Sequence, residues 1–140
     1  MKALPVRLTP GDDLRRALEA AVAGQGFDAA FVLSGIGSLS EARLRLAGAE
    51  LPQVMSGDME ILSLSGTIAP NASHLHAALA TSQGEVVGGH VAPGCIVRTT
   101  AEVLLALLPA WHFRRERDPL TGFDELVIRP DEGSSGSTGP

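Results

Sequence analysis

The segment that most constrains this chain is a hairpin carrying three of its four histidines: His74-Leu75-His76, then Ser82-Gln83-Gly84, then Gly88-Gly89-His90. Alternate residues on a strand project to one side, so His74 and His76 point together. The turn decides where His90 points. If Ser82-Gln83-Gly84 is a three-residue loop with Gly84 left-handed, Thr81 pairs with Glu85 and His76 faces His90. All three imidazoles then share a face. A two-residue loop would slip the register by one and send His90 to the opposite side. Three neutral imidazoles around an open position are a common arrangement for catalytic zinc, whereas a structural site closes with a fourth ligand. Cys95 is the only thiol that could supply one. The competing reading is three surface or internally satisfied histidines on a sheet. His112, beside Trp111 in another segment, reads as a packing or surface residue.

Composition narrows the function classes. The chain has 140 residues, 44% hydrophobic and 19% charged, which suits one folded domain with a real core. Its formal net charge of −5 argues against a surface built to neutralise nucleic-acid phosphates. The cations are ten arginines and one lysine, and their one local cluster, Arg114, Arg115 and Arg117, is interrupted by Glu116 and followed by Asp118. That cluster reads as a solvated strand face. One cysteine excludes an intramolecular disulfide and fits a reducing compartment. Cys95, next to Ile96 and Val97, reads as a small buried residue. There is no secretory apolar run at the N-terminus and no stretch near the roughly 20 apolar residues of a membrane span. A cytoplasmic protein is expected.

Along the chain, Val6-Arg7-Leu8 is a short strand, and Thr9-Pro10-Gly11-Asp12 opens a helix with threonine as N-cap and proline at the first position. Leu14, Ala17, Leu18, Ala21 and Val22 give that helix one apolar face before Gly24 and Gly26 stop it. Residues 27–34 form an apolar strand. Ser34-Gly35-Ile36-Gly37-Ser38 resembles a phosphate loop but leads into the alternating Ala42, Leu44 and Leu46, so its glycines serve a tight turn or bulge. Residues 50–57 form a loop before a strand over 58–68. After the histidine hairpin (72–91), a short strand at 95–98 precedes a second helix. Thr99 and Glu102 make that helix's capping box, and Val103, Leu104, Leu107 and Leu108 its buried stripe. Strands over 111–117 and 123–129 follow. The expected class is α+β: a largely antiparallel, curled sheet of about seven strands packed by two helices. A single domain spans 1–130, and 131–140 is a flexible Ser/Gly-rich tail. A parallel nucleotide-binding sheet would need more helical crossovers.

Six short stretches in order resemble the plants-and-prokaryotes-conserved (PPC) domain family. They are Leu33-Ser34-Gly35-Ile36-Gly37-Ser38-Leu39-Ser40, Glu60-Ile61-Leu62-Ser63-Leu64-Ser65-Gly66-Thr67, and His74-Leu75-His76. Gly88-Gly89-His90, Arg98-Thr99-Thr100-Ala101-Glu102 and Asp118-Pro119-Leu120-Thr121-Gly122-Phe123-Asp124-Glu125-Leu126 complete the set. The resemblance implies an antiparallel sheet packed by helices, a homotrimer, and a divalent metal such as zinc on His74, His76 and His90. In land plants the domain follows an AT-hook, an Arg-Gly-Arg-Pro element for the minor groove. This chain has none, so direct DNA binding is not carried over to it. Edge strands left by an antiparallel sheet give association a physical motive as well.

A more distant resemblance, to acetolactate decarboxylase, implies an enzymatic alternative. Metal on three imidazoles would act as a Lewis acid toward a keto or hydroxy acid. A carboxylate for proton transfer and a cation for the substrate would be needed, and Glu60, Arg98 and Glu102 are the nearest candidates. Against those roles, Glu102 has a capping position and Glu60 could pair with Arg98. The leading expectation is a metal-binding assembly or regulatory module, with a small-molecule ligand at the metal and no membrane partner.

Overall fold

A computed structural model describes residues 1–131. Of the expected tail, Asp131 is described and the remainder lies outside the described residues. The elements are β1 (Lys2–Leu8), α1 (Leu14–Gly24), β2 (Ala30–Arg45), β3 (Gln53–Ala69), β4 (Ala72–Thr81), β5 (Val86–Val91), β6 (Ile96–Leu107), β7 (Trp111–Arg117) and β8 (Asp124–Pro130). All strand pairings are antiparallel. Six strands run in the order β1-β6-β2-β3-β4-β5, and β7-β8 make a second, two-stranded sheet. Strand β2 shares one edge between two partners: β6 pairs with residues from Ala30 to Glu41, β5 with Leu44 and Arg45. The circuit β2-β3-β4-β5 therefore returns to β2, which curls the sheet toward a barrel.

The sequence reading placed a second helix after Thr99; the chain there continues as strand β6. The run from Val103 to Leu108 is apolar throughout, and such a run fits a buried strand as well as a helix stripe. Burial decides for period two: Val97, Ala101, Val103, Leu105 and Leu107 are buried while Arg98, Glu102 and Leu104 face out. Thr99 caps nothing. Its hydroxyl lies 2.6 Å from Ser38 Oγ on β2, and its N–H donates to the same oxygen. Glu102 pairs in register with Arg7 of β1.

Three further boundaries differ from expectation. The strands read on either side of the Gly35-Gly37 segment are one strand, β2, which passes through the glycines with register shifts and no turn. Residues 53–57, read as loop, belong to β3. Helix α1 begins at Leu14, capped by Asp13, whose carboxylate accepts from the Arg16 N–H. The earlier start fails because the backbone of residues 11–14 is engaged elsewhere: Gly11 N–H bonds Val97 O, Leu14 N–H bonds Cys95 O, and Asp12 O accepts from Val97. Thr9 instead turns onto the Asp12 carboxylate.

The core lies between α1 and the inner face of the curled sheet. Leu14, Leu18 and Val22 of the helix bury against β1, β3, β4 and β6 with Leu39, Leu44, Leu75, Leu79 and Leu105. Each such side chain contributes roughly 1.5–3 kcal/mol. A smaller cluster, Phe113 with Ala29 and Ala69, anchors the β7-β8 hairpin, and Phe31 meets Phe113 edge-on at 5.6 Å. No helix among the described residues is long and apolar enough to cross a membrane.

Gly66 of β3 packs directly against the backbone of β4. Its φ is +143°, and a Cβ there would collide with the carbonyl oxygen of His74. Gly66→Ala is expected to destabilise the protein by about 2–3 kcal/mol. Urea denaturation checks this; an unchanged midpoint would contradict the close approach.

Candidate metal centre

The β4-β5 turn adopts the three-residue form. Thr81 N–H donates to Glu85 O at 2.8 Å, Gly84 N–H donates to Thr81 O at 2.9 Å, and Gly84 has φ +81°. His76 consequently pairs with His90. Leu75, Ala77 and Leu79 of β4 enter the core, so His74 and His76 lie on the opposite, outer face, and His90 joins them. One ring nitrogen from each of the three lies within 4.8 Å of the others, and His74 Nε2 is 3.0 Å from His76 Nε2.

The glycines before His90 have a packing reason. A Cβ on Gly88 would sit 3.1 Å from Ala77 O, and one on Gly89 would sit 2.9 Å from Arg45 O. Side chains there would hold β5 off its neighbours. With hydrogens in their place, β5 reaches β2, and Arg45 pairs directly with His90.

A group of charges surrounds the imidazoles. Arg15, Arg45, Arg115, Glu50, Asp124 and Glu125 line a cavity of about 1020 Å³ that also exposes His74 and His90. Arg115 and Glu125 come from the β7-β8 hairpin, which is pinned by Asn71 in the turn between β3 and β4. The Asn71 side chain donates to Arg115 O at 2.9 Å and accepts from Arg115 N–H at 3.0 Å, copying a strand partner. The Arg115 side chain is only 8% exposed. It donates to Thr67 Oγ1 at 3.0 Å and stands 3.9 Å from Glu125. Burial pushes the Arg115 pKa down, Glu125 opposing and Arg15 adding to the shift.

Burial also depresses the histidines. His74 is lowered by desolvation first, then by the charges of Arg115, His76 and Arg45, against an opposing Glu125. His90 falls to about 4 through desolvation, followed by His74, Arg45 and Arg15. Both rings are thus neutral at pH 7, the form in which imidazole binds metal. His90 Nδ1 is buried without a hydrogen-bond partner among the described residues. Nitrogens on one tetrahedral zinc stand about 3.3 Å apart, given the usual Zn–N length. The His74–His76 separation of 3.0 Å is close to that value, and all three nitrogens lie within 4.8 Å of one another. The donor set fits a single divalent cation.

The other singled-out residues lie elsewhere. Glu60 is exposed on β3 and Glu102 exposed on β6; Arg98 pairs with Asp58 at 2.8 Å, not with Glu60. None of the three lines the histidine cavity. His112 is a surface residue, 2.9 Å from Asp28 and 3.2 Å from Asp131. Cys95 is fully buried, and burial raises its thiol pKa. The groups that do meet the histidines, Arg115, Glu125, Arg45 and Arg15, were not picked out from sequence. From sequence, Arg115 belongs to a solvated strand face.

A curled antiparallel sheet with an outward three-histidine cluster defines the class of fold. Residues 1–109 match the Plants and Prokaryotes Conserved (PCC) domain, and the chain belongs to that family. The crystal structure of a hypothetical protein from Salmonella enterica is similar at a TM-score of 0.90 and 38% identity, covering 93% of this chain and 94% of that one. A metal-containing protein from Archaeoglobus fulgidus is similar at a TM-score of 0.78 and 29% identity, over 91% and 94% of the two chains. Among curated proteins, the bifunctional protein GlmU of Synechococcus sp. (strain JA-2-3B'a(2-13)) is 47% identical over 133 residues, 95% of this chain. The chain spans 21% of that relative's length.

The lowered His90 pKa sets a pH dependence for chelator-treated protein. Above pH 6.5 the ring is neutral whether the chain is folded or not. Between 6.5 and about 4 the unfolded chain takes up a proton that the folded site resists, so stability falls as pH falls and levels off below about 4. The urea midpoint of wild type should fall relative to that of His90→Asn as pH drops through that window. Parallel curves would contradict the assignment.

Proposed function

We propose that this chain is a zinc-binding module that assembles as a homotrimer and serves assembly or regulation. The carrying observation is the convergence of three imidazoles on one point, with no fourth protein ligand in the His/Cys/Asp/Glu group among the described residues. His74, His76 and His90 would hold the ion. When bound it would supply Lewis acidity at an open position facing the cavity. The metal-containing relative from Archaeoglobus supports this reading.

Association is supported by apolar surface on the outer sheet face. Leu33, Ile36, Leu62 and Leu104, on β2, β3 and β6, are 38–54% exposed, and β1 presents an open strand edge. A partner covering that edge and face would remove both liabilities. A similar segment also occurs within a much longer bifunctional protein, which fits a module attached to different activities.

A second reading, a small metal-dependent lyase or hydrolase, is favoured by one observation: the Glu125 carboxylate lines the same cavity as His74 and His90. Under this reading Glu125 would be the proton acceptor beside the proposed ion, in place of Glu60 or Glu102. Direct DNA binding is disfavoured by the acidic balance of 16 acids against 11 cations.

His76→Ala is expected to abolish stoichiometric zinc by elemental analysis while preserving the circular dichroism spectrum, since its side chain is exposed. Retention of one zinc per chain would remove His76 from the site. Light scattering after size exclusion is expected to give three times the chain mass, and a clean monomer would refute the assembly.

A further inference from the structure

Building on the metal reading but tested apart from it, we propose that the histidine cavity binds a small organic acid, its carboxylate held by Arg115 and Arg45. Arg115 is the central observation. Its side chain is 8% exposed and its guanidinium carries five N–H donors. Among the described residues those donors make one hydrogen bond, to Thr67; Glu125 at 3.9 Å is beyond hydrogen-bond reach. Glu125 offsets part of the charge from that distance, but most of the N–H donors of this buried cation are left open, which is costly unless a further acceptor completes them.

The cavity's charge is layered. Two of its three cationic side chains are deep, Arg115 at 8% and Arg15 at 15% exposed, although Arg15 is already engaged by Glu19 and by Val91 O; Arg45 is exposed. Its acids lie nearer solvent: Glu50 and Asp124 are exposed, and the Glu125 side chain is 41% exposed. Charges in water are screened and buried ones much less, so the field at the floor favours an anion. Arg45 adds a guanidinium whose side-chain bond, to Ala49 O, is long at 3.4 Å.

Ligand class follows from the rest of the lining. Planar guanidinium groups recognise carboxylate and phosphate alike through paired N–H donors. Phe123, Ala49 and Ala72 also line the cavity, offering apolar contact to a carbon skeleton that inorganic phosphate lacks. Glu125 would repel a dianion more than a monocarboxylate and can accept a hydrogen bond from a hydroxyl. These features together favour a small carboxylic acid over a phosphate.

The test is ligand-observed NMR titration of the full chain with pyruvate, lactate and inorganic phosphate, each run on zinc-loaded and on chelator-treated protein. Zinc content is measured in parallel. Arg45→Gln and Arg115→Gln are each expected to weaken pyruvate and lactate binding by about tenfold, the loss of one charge-assisted contact, with zinc retained. Arg114→Gln, on the outward side of the same strand, is expected to bind as wild type does. Should Arg115→Gln fail to fold, exposed Arg45 carries the test. Wild-type affinity in both arginine variants, or no binding of either acid in either metal state, would overturn the proposal. Phosphate binding as tight as the acids would overturn the ligand class. Arginine-dependent acid binding by protein that takes up no zinc would sustain this proposal while refuting the metal.

Discussion

The pairing of Arg45 with His90 is the contact on which the rest of the site depends. It closes the circuit from β5 back to β2, and it does so only because Gly88 and Gly89 carry no side chain to hold the strands apart. Without that closure β5 would be a free edge, His90 would be tied to the protein by β4 alone, and Arg45 would stand away from the cavity. Structure and site share one constraint.

The turn sets the second condition. Gly84 takes a backbone conformation that side chains resist, and the resulting loop length decides which face His90 occupies. Once register is fixed, the core does the orienting. Leu75, Ala77 and Leu79 must point inward, so the histidines between and beside them point outward. His76 is exposed, but His74 and His90 are only partly so, and the β7-β8 hairpin, clamped by Asn71, carries Arg115 to the cavity they line. Burial and neighbouring guanidinium charge then keep His74 and His90 unprotonated. Those two rings are held in their metal-accepting form.

What could be read from the residues alone divides along the same lines. The histidine hairpin was legible because its information is local: alternation on a strand, and a glycine where a left-handed residue is required. The first helix was legible from its apolar spacing, though its start was not, since Gly11, Asp12 and Leu14 are held by Val97 and Cys95, far along the chain. The second helix was a misreading of a continuous apolar run, where period two and period 3.6 give the same string and a threonine-to-glutamate spacing imitates a cap. Arg115 and Glu125 were invisible as site residues for a different reason. Their strand alternates like any surface strand, and only the Asn71 clamp, 44 residues upstream, turns one face of it toward the histidines.

X-ray absorption at the zinc edge of metal-loaded protein tests the central geometry most directly. Three imidazoles sharing one ion predict three nitrogen scatterers at about 2.0–2.1 Å, with the outer-shell signature of histidine rings and one lighter ligand completing the shell. A spectrum with one or two imidazoles, or with sulfur in the inner shell, would contradict the account.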